Sequence, residues 1–150
     1  QDIEDFKKSI GRKSRLLGID PGKKRVGLAI SDEDKLVSTP LKTIIKKNNS
    51  NFVKEIREII EENNIKGIIV GNPINMDGSK GSSSQSANDF AKYLSNNISI
   101  PVTMWDERLS SEGAFKLYGN IGVNTSKKIE KLDQNAASFI LQGVLDYLKR

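Results

Sequence analysis

The 150-residue chain has no cysteine and no histidine. Without cysteine there is no disulfide framework. The usual zinc sites, which rest on Cys and His, are excluded, and Cys–His and Ser–His–Asp catalysis are excluded with them. A bound metal would therefore be a hard cation on oxygen ligands, which means Mg²⁺, Mn²⁺ or Ca²⁺. No apolar run approaches the roughly 20 residues that span a bilayer. The N-terminal residues Gln1-Asp2-Ile3-Glu4-Asp5-Phe6-Lys7-Lys8 carry charge where a secretory signal carries an apolar stretch. The expectation is a cytoplasmic protein with no membrane association.

Hydrophobic residues make up 36% and charged residues 29% of the chain, the balance of a globular protein. The length suits one domain over 1–150, with 1–14 as an N-terminal extension or short helix. The 24 Lys and Arg against 19 Asp and Glu leave a net charge of +5, a modest bias toward polyanionic partners.

Periodicity divides the chain into elements. Ile3, Phe6 and Ile10 recur at helical spacing, with Asp2 as cap and Gly11 as stop. Strands are expected over Leu16–Asp20, Arg25–Ser31 and Leu36–Ile45, where Pro40 demotes the third toward an edge or a bulge. The period then lengthens. Ser50 is the expected cap of an amphipathic helix through Phe52, Val53, Ile56, Ile59 and Ile60. Ile65–Val70 reads as a strand buried on both faces, followed by a polar loop from Gly71 to Ser84. A helix through Ala87, Phe90, Ala91 and Leu94 leads to a strand over Ile100–Trp105. A short helix capped by Ser110 or Ser111 runs through Leu117, a polar loop spans Gly119–Ser126, and a last helix covers Ile129–Leu148. Helix-bearing connections imply parallel pairing and short turns antiparallel pairing. The expected fold is α/β, a mixed five-stranded sheet flanked by helices.

The apolar run Leu16-Leu17-Gly18-Ile19 ends in a carboxylate, Asp20. Pro21-Gly22 turns the chain, the cations Lys23, Lys24 and Arg25 follow, and a second apolar run leads away. A carboxylate at the mouth of a sheet can hold a divalent metal, and the cations can hold phosphates. Taken alone, the motif fits a hairpin with a solvated turn acid equally well.

Two further acidic sites stand where solubility does not require them. Asp106 and Glu107 end the fifth strand, and alternation points one toward the site and the other away. Arg108 can pair with the one that does not. Asp133 lies four residues before Ala137 and seven before Ile140, on the apolar stripe of the last helix. A charge there is costly unless it is paired or binds metal, although an acid early in a helix also favours the dipole. Ligands in open α/β sheets bind beyond the carboxyl ends of strands, and a divalent ion relieves the repulsion within an acid cluster. Asn75 and Asp77 in the loop after the fourth strand are plausible substrate contacts, although Asp77-Gly78 also reads as a turn. That loop is not a P-loop, since Pro73 lacks an N–H and no Gly-Lys-Ser/Thr follows. Trp105 is expected in the core.

Four motifs together resemble one family. Gly-Ile-Asp-Pro-Gly-x-Lys-Arg-Val-Gly at 18–27, Val-Gly-Asn-Pro-x-x-Met-Asp-Gly at 70–78, Trp-Asp-Glu-Arg-Leu-Ser at 105–110 and Asp-Gln-Asn-Ala-Ala at 133–137 are similar to those of the YqgF family, RuvC-like nucleases with an RNase H-like fold. The motifs stand in family order and cover nearly all the chain after about Arg15. The resemblance implies an endonuclease dependent on Mg²⁺ or Mn²⁺ that processes the 5′ end of precursor 16S ribosomal RNA. It implies Asp20, Glu107 and Asp133 as catalytic acids and metal ligands, with Arg108 completing the Asp-Glu-Arg motif. Lys23, Lys24, Arg25, Asn75 and Arg108 are the expected nucleic-acid contacts. An older family label, Holliday junction resolvase, keeps DNA junctions open as substrate. RuvC-type resolvases carry an acid at the end of the fourth strand, where this chain has Gly71-Asn72, so the second acid must come from the fifth strand. A nucleic-acid-binding module with little catalysis is a further alternative, although a pure binder has no reason to set carboxylates near phosphate. An actin-like ATPase shares Asp-x-Gly after its first strand, but no second phosphate loop of that kind follows here.

Overall fold

After a short N-terminal helix, three strands with short connections follow, because the chain is rich in β-branched and leucine residues until Ile45. Helical spacing takes over after that. A computed structural model describes residues 2–22, 24–72, 82–106 and 125–149, the side chains at 49, 82–84 and 125–134 excepted. Its elements are α1 (Ile3–Ser9), β1 (Arg15–Asp20), β2 (Arg25–Ser31), β3 (Ser38–Ile45), α2 (Asn49–Asn63), β4 (Ile65–Asn72), α3 (Ser82–Asn97), β5 (Val102–Asp106) and α4 (Thr125–Leu148). The short helix expected between Ser110 and Leu117 lies outside the described residues.

The strands form one sheet in the order β3-β2-β1-β4-β5. β1 pairs antiparallel with β2, and β2 with β3. β1 pairs parallel with β4, and β4 with β5. This is the expected mixed five-stranded sheet. Both faces are covered, which is why the central strands read as near-continuous apolar runs. On one face Leu17, Ile19, Val26, Leu28, Ile68 and Val70 pack with Phe52, Val53 and Ile56 of α2 and Ala91 and Leu94 of α3. On the other, Leu16, Ala29, Ile69 and Trp105 pack with Phe6 and Ile10 and with Ala137, Ile140, Leu141, Val144 and Leu145 of α4. Each fully buried Leu, Ile or Val there stabilises the fold by about 1.5–3 kcal/mol.

Several boundaries differ from the sequence expectation. β3 starts at Ser38, not Leu36, because Asp32 captures the preceding loop: its carboxylate accepts the backbone N–H groups of Leu36 and Val37 at 2.7 and 3.0 Å. Lys35, at φ 57°, reaches from that loop to the carbonyl oxygens of Gly11 and Arg12. Pro40 lies on the edge strand and also beside a bulge, since Leu28 faces Lys42 while Ala29 faces Pro40, leaving Leu41 over. Asn48, not Ser50, caps α2. Its side chain accepts Asn51 N–H at 2.8 Å, and Ser50 Oγ buttresses it at 3.0 Å. β4 runs on to Asn72, and β5 begins at Val102 rather than Ile100. α4 begins at Thr125, four residues before Ile129, because apolar spacing marks only the buried part of a helix and its first turn is polar. Asp2 does cap α1, accepting Asp5 N–H at 2.8 Å, and Gly11 follows that helix at φ 74°.

One close approach sets how α4 lies on the sheet. A Cβ at Gly18 would stand 2.8 Å from Leu141 Cβ and 3.2 Å from the Ala137 carbonyl oxygen. Only glycine lets the helix backbone come down onto β1 at that point.

Gly18→Ala is expected to destabilise the protein by about 1–3 kcal/mol, the range for overpacking a core. Leu141→Ala should not rescue it, because the nearest atom is a Cβ that alanine keeps. Thermal denaturation of the single and double variants checks both statements, and a stable Gly18→Ala protein would contradict them. The Asp32 pKa is held below its ordinary value, mainly by the Val37 N–H. A depressed carboxylate contributes stability that is present above its unfolded pKa of about 3.9 and lost as pH falls through the folded value. Asp32→Ala should therefore lower Tm at pH 7, and the gap should close on acidification below about pH 4. A gap independent of pH would contradict that origin.

Candidate active site

Asp20 is the last residue of β1, so its position follows from where the apolar run stops. Because β1, β4 and β5 are parallel, their carboxyl ends meet at one end of the sheet. The register sets Ile19 opposite Val70, and Asn72 opposite Asp106. Asp20, Asn72 and Asp106 thus finish three adjacent strands within one residue of the same level, Asp20 beside Gly71 and one position short of Asn72 and Asp106. Asp20 is half-buried. Its antiparallel partner on β2 is Gly27, so the position directly opposite it carries no side chain.

Alternation assigns these residues to faces. Asp20 has the parity of Leu16 and Gly18, the face that α4 covers. Trp105 belongs to the same face, where its ring meets Tyr147 edge-on with centroids 5.5 Å apart. Trp105 is buried as expected, at 7% exposure. Asp106 has the parity of Val102 and Met104, which pack on the opposite face with α2 and α3. Of the two neighbouring acids, Asp106 is therefore the one turned from Asp20.

α4 runs antiparallel to β1. Gln142 accepts Ser38 N–H at 2.9 Å and donates to the Leu36 carbonyl, while Ser138, one turn earlier, meets Ser38 Oγ at 2.9 Å. Stepping back along the helix therefore moves along β3 in its own direction, which is also the direction of β1 toward Asp20. The N-terminal turns of α4 point to the sheet end that carries Asp20.

The turn after Asp20 is tight. A Cβ at Gly22 would lie 2.2 Å from the Arg25 carbonyl oxygen. Lys24 and Arg25 are exposed at the start of β2, beside Asp20 on the neighbouring strand. Lys23, Asn75, Asp77, Glu107 and Arg108 lie outside the described residues, as does the side chain of Asp133. Among the described residues no three of Asp, Glu, His and Cys gather closely enough to hold a metal. Two cations escaped the sequence reading. The β2–β3 ladder continues beyond Arg25 and Ile45 through a bond from Lys46 N–H to the Lys24 carbonyl at 2.7 Å, which brings Lys46 and Lys47 to the same sheet end. They stand more than twenty positions from Lys24 in the chain, and only strand pairing unites them.

A family model described as "RuvX: Holliday junction resolvase" matches residues 14–147. The chain belongs to the RuvX family. This is the family that the motifs resemble under the name YqgF. Among similar RuvX proteins, one from Pelagibacter ubique named "Putative pre-16S rRNA nuclease" is 53% identical over 146 residues, covering 97% of each chain. A Methylocella silvestris protein of the same name is 39% identical, covering 99% of this chain and 92% of its own. The solved structure of Thermus thermophilus RuvC in complex with a Holliday junction substrate superposes with a TM-score of 0.56 at 13% identity, over 89% of this chain and 94% of that one. That likeness shows the fold, which is RNase H-like. In this RuvX chain β4 ends in Asn72, so no carboxylate stands there.

Gly22→Ala is expected to reshape the turn and cost about 1–3 kcal/mol. Amide exchange at residues 25–27 should speed up relative to the rest of the sheet. Unchanged exchange there would mean that the turn absorbs a side chain and does not fix the Asp20 end.

Proposed function

We propose that this RuvX protein is a divalent-metal-dependent endonuclease acting on structured RNA, with precursor 16S rRNA as its substrate class. The observation that carries the reading is Asp20, half-buried at the carboxyl end of β1 on the face beneath α4, with exposed cations one strand away. The relative at 53% identity supports the substrate class by its name.

The donor chemistry fits a hard cation. The chain offers only oxygen ligands, having neither Cys nor His. Asp20, Glu107 and Asp133 are the proposed Mg²⁺ or Mn²⁺ ligands. Two facts favour them. Asp106 is turned to the other face, which leaves Glu107 as the acid of its pair for this site. Ala137 lies over Gly18. Four residues back along the helix, about 6 Å, is close to the step from Gly18 to Asp20, about 6.6 Å, which supports helix position 133 as the partner of Asp20. When bound, the metal polarises the phosphodiester and lowers the pKa of the attacking water.

The chain's own residues do the rest. Lys24 and Arg25, with Lys23, hold the phosphates next to the scissile one. Asn75 and Arg108 are the proposed contacts to the same strand. The covered α4 face keeps bulk solvent from one side of Asp20, where charge–charge interactions are stronger. Among the described residues no helix is long and apolar enough to cross a membrane, and a ribosomal RNA substrate sets the work in the cytoplasm. Cleavage of a DNA junction is the second reading, which rests on the family description. Asn72, in place of the acid that RuvC-type resolvases carry there, weighs against it.

Asp20→Asn should abolish cleavage of structured RNA in Mg²⁺ or Mn²⁺ while the protein stays folded. Mn²⁺ should raise the Tm of the wild type, by about 2.7 kcal/mol of stabilisation at one hundred times its dissociation constant. A variant neutralised at Asp20, Glu107 and Asp133 should show no such rise. Cleavage by Asp20→Asn, or equal Tm shifts in both proteins, would overturn the assignment. Preference for a four-way DNA junction over RNA would favour the second reading.

A further inference from the structure

The sheet end beside Asp20 carries more positive charge than the turn alone supplies. Lys24 and Lys47 are exposed, as is Arg25, and Lys46 is half-buried. The bond from Lys46 N–H to the Lys24 carbonyl closes the end of the hairpin and fixes the two lysines side by side. Lys46 is held further by the Phe90 ring, with Nζ 5.3 Å from its centroid. Arg25 and its ladder partner Ile45 take the face that Asp20 takes, while Lys24 and Lys46 take the other, so the cations wrap the end of the sheet. The nearby acid Glu55 is engaged elsewhere, bonding Lys42 at 3.2 Å. In the middle of the row stands Ile45, a large apolar side chain left 67% exposed at the tip of the edge strand. An apolar contact among cations suits a sugar–phosphate strand, which offers both charge and sugar or base surface.

We infer that Lys46 and Lys47 extend the substrate track across β2 and β3, holding the phosphates of one RNA strand on the β3 side of the cleavage position while Ile45 packs against its sugars or bases. The inference rests on the nuclease reading for the identity of the polyanion. Neighbouring strands are about 4.8 Å apart, so β3 stands about 10 Å from β1. At about 3.4 Å of helix axis per phosphate on one strand, the track reaches about three nucleotides from the scissile bond. These lysines position the substrate and take no part in the chemistry.

The test is binding of a short hairpin RNA to the full chain carrying Asp20→Asn, titrated at several salt concentrations in Ca²⁺. Adding Lys46→Gln and Lys47→Gln should flatten the plot of log affinity against log salt by about 1.4 on a single-stranded contact or about 1.8 on a duplex. Lys47→Gln alone, which leaves the Lys46–Phe90 contact intact, should give half that change. A charge-matched control, Lys13→Gln with Lys66→Gln, alters exposed lysines at the opposite end of the sheet and should leave the slope as it was. An unchanged slope in the Lys46/Lys47 protein, or equal flattening in the control, overturns the track. Wild-type cleavage of RNA with no effect of Lys46 and Lys47 on the slope overturns the track and leaves the nuclease reading standing. A slope that depends on these lysines, with no wild-type cleavage in Mg²⁺ or Mn²⁺, upholds the track and overturns the nuclease reading.

Discussion

The contact on which the arrangement depends is the one between α4 and the backbone of β1 at Gly18. With no side chain there, Leu141 Cβ and the Ala137 carbonyl occupy the space that a Cβ would need. The helix is seated low on the sheet and fixed in height. Its direction is set by the polar contacts of Ser138 and Gln142 with the start of β3, and its depth by the apolar row from Ala137 to Leu145. Together these aim the polar N-terminal turns of α4 at the end of the sheet where β1 stops. An acid on a strand and an acid on a helix can serve one cation only if the two elements are held in register. For the proposed pair of Asp20 and Asp133, the close approach at Gly18 would supply that register.

The second constraint is topological. Parallel pairing of β1, β4 and β5 brings three carboxyl ends to within one residue of one level, and the antiparallel hairpin of β2 and β3 brings cations to the same end. Acid and cations share that end, with Asp20 half-buried on the α4 face, Lys24 and Lys47 exposed, and Lys46 held against Phe90. On the proposed reading, the exposed cations would take the phosphates and Asp20 would take the metal. In its half-buried setting Asp20 would interact more strongly with a divalent ion than it would at an open surface.

What could be read from the sequence follows the same physics. The strand ending at Asp20 was legible because an apolar run broke off at a carboxylate before Pro-Gly. The mixed sheet was legible because three strands with short turns precede Ile45, while helical spacing separates the strands that follow it. Pro40 marked the edge strand by lacking an N–H. The cap of α2 was misread because Asn48 and Ser50 are both good cap residues, and backbone geometry decides between them. The onset of α4 was misread because a polar first turn leaves no apolar signal. Lys46 and Lys47 could not be joined to Lys24 by spacing, since strand pairing is non-local and its register depends on the bulge at Leu41. The need for glycine at position 18 was invisible too, because a glycine in a strand looks the same whether it permits a bulge or a helix.

The account holds that Asp20, Glu107 and Asp133 share one divalent ion at the end of the sheet. The most direct measurement is anomalous scattering from a crystal of the protein soaked with Mn²⁺. The account predicts a manganese peak bonded to a carboxylate oxygen of Asp20, with Glu107 and Asp133 completing its protein ligands. A manganese ion bound elsewhere, or none at Asp20 in crystals with that end of the sheet open to solvent, would contradict it.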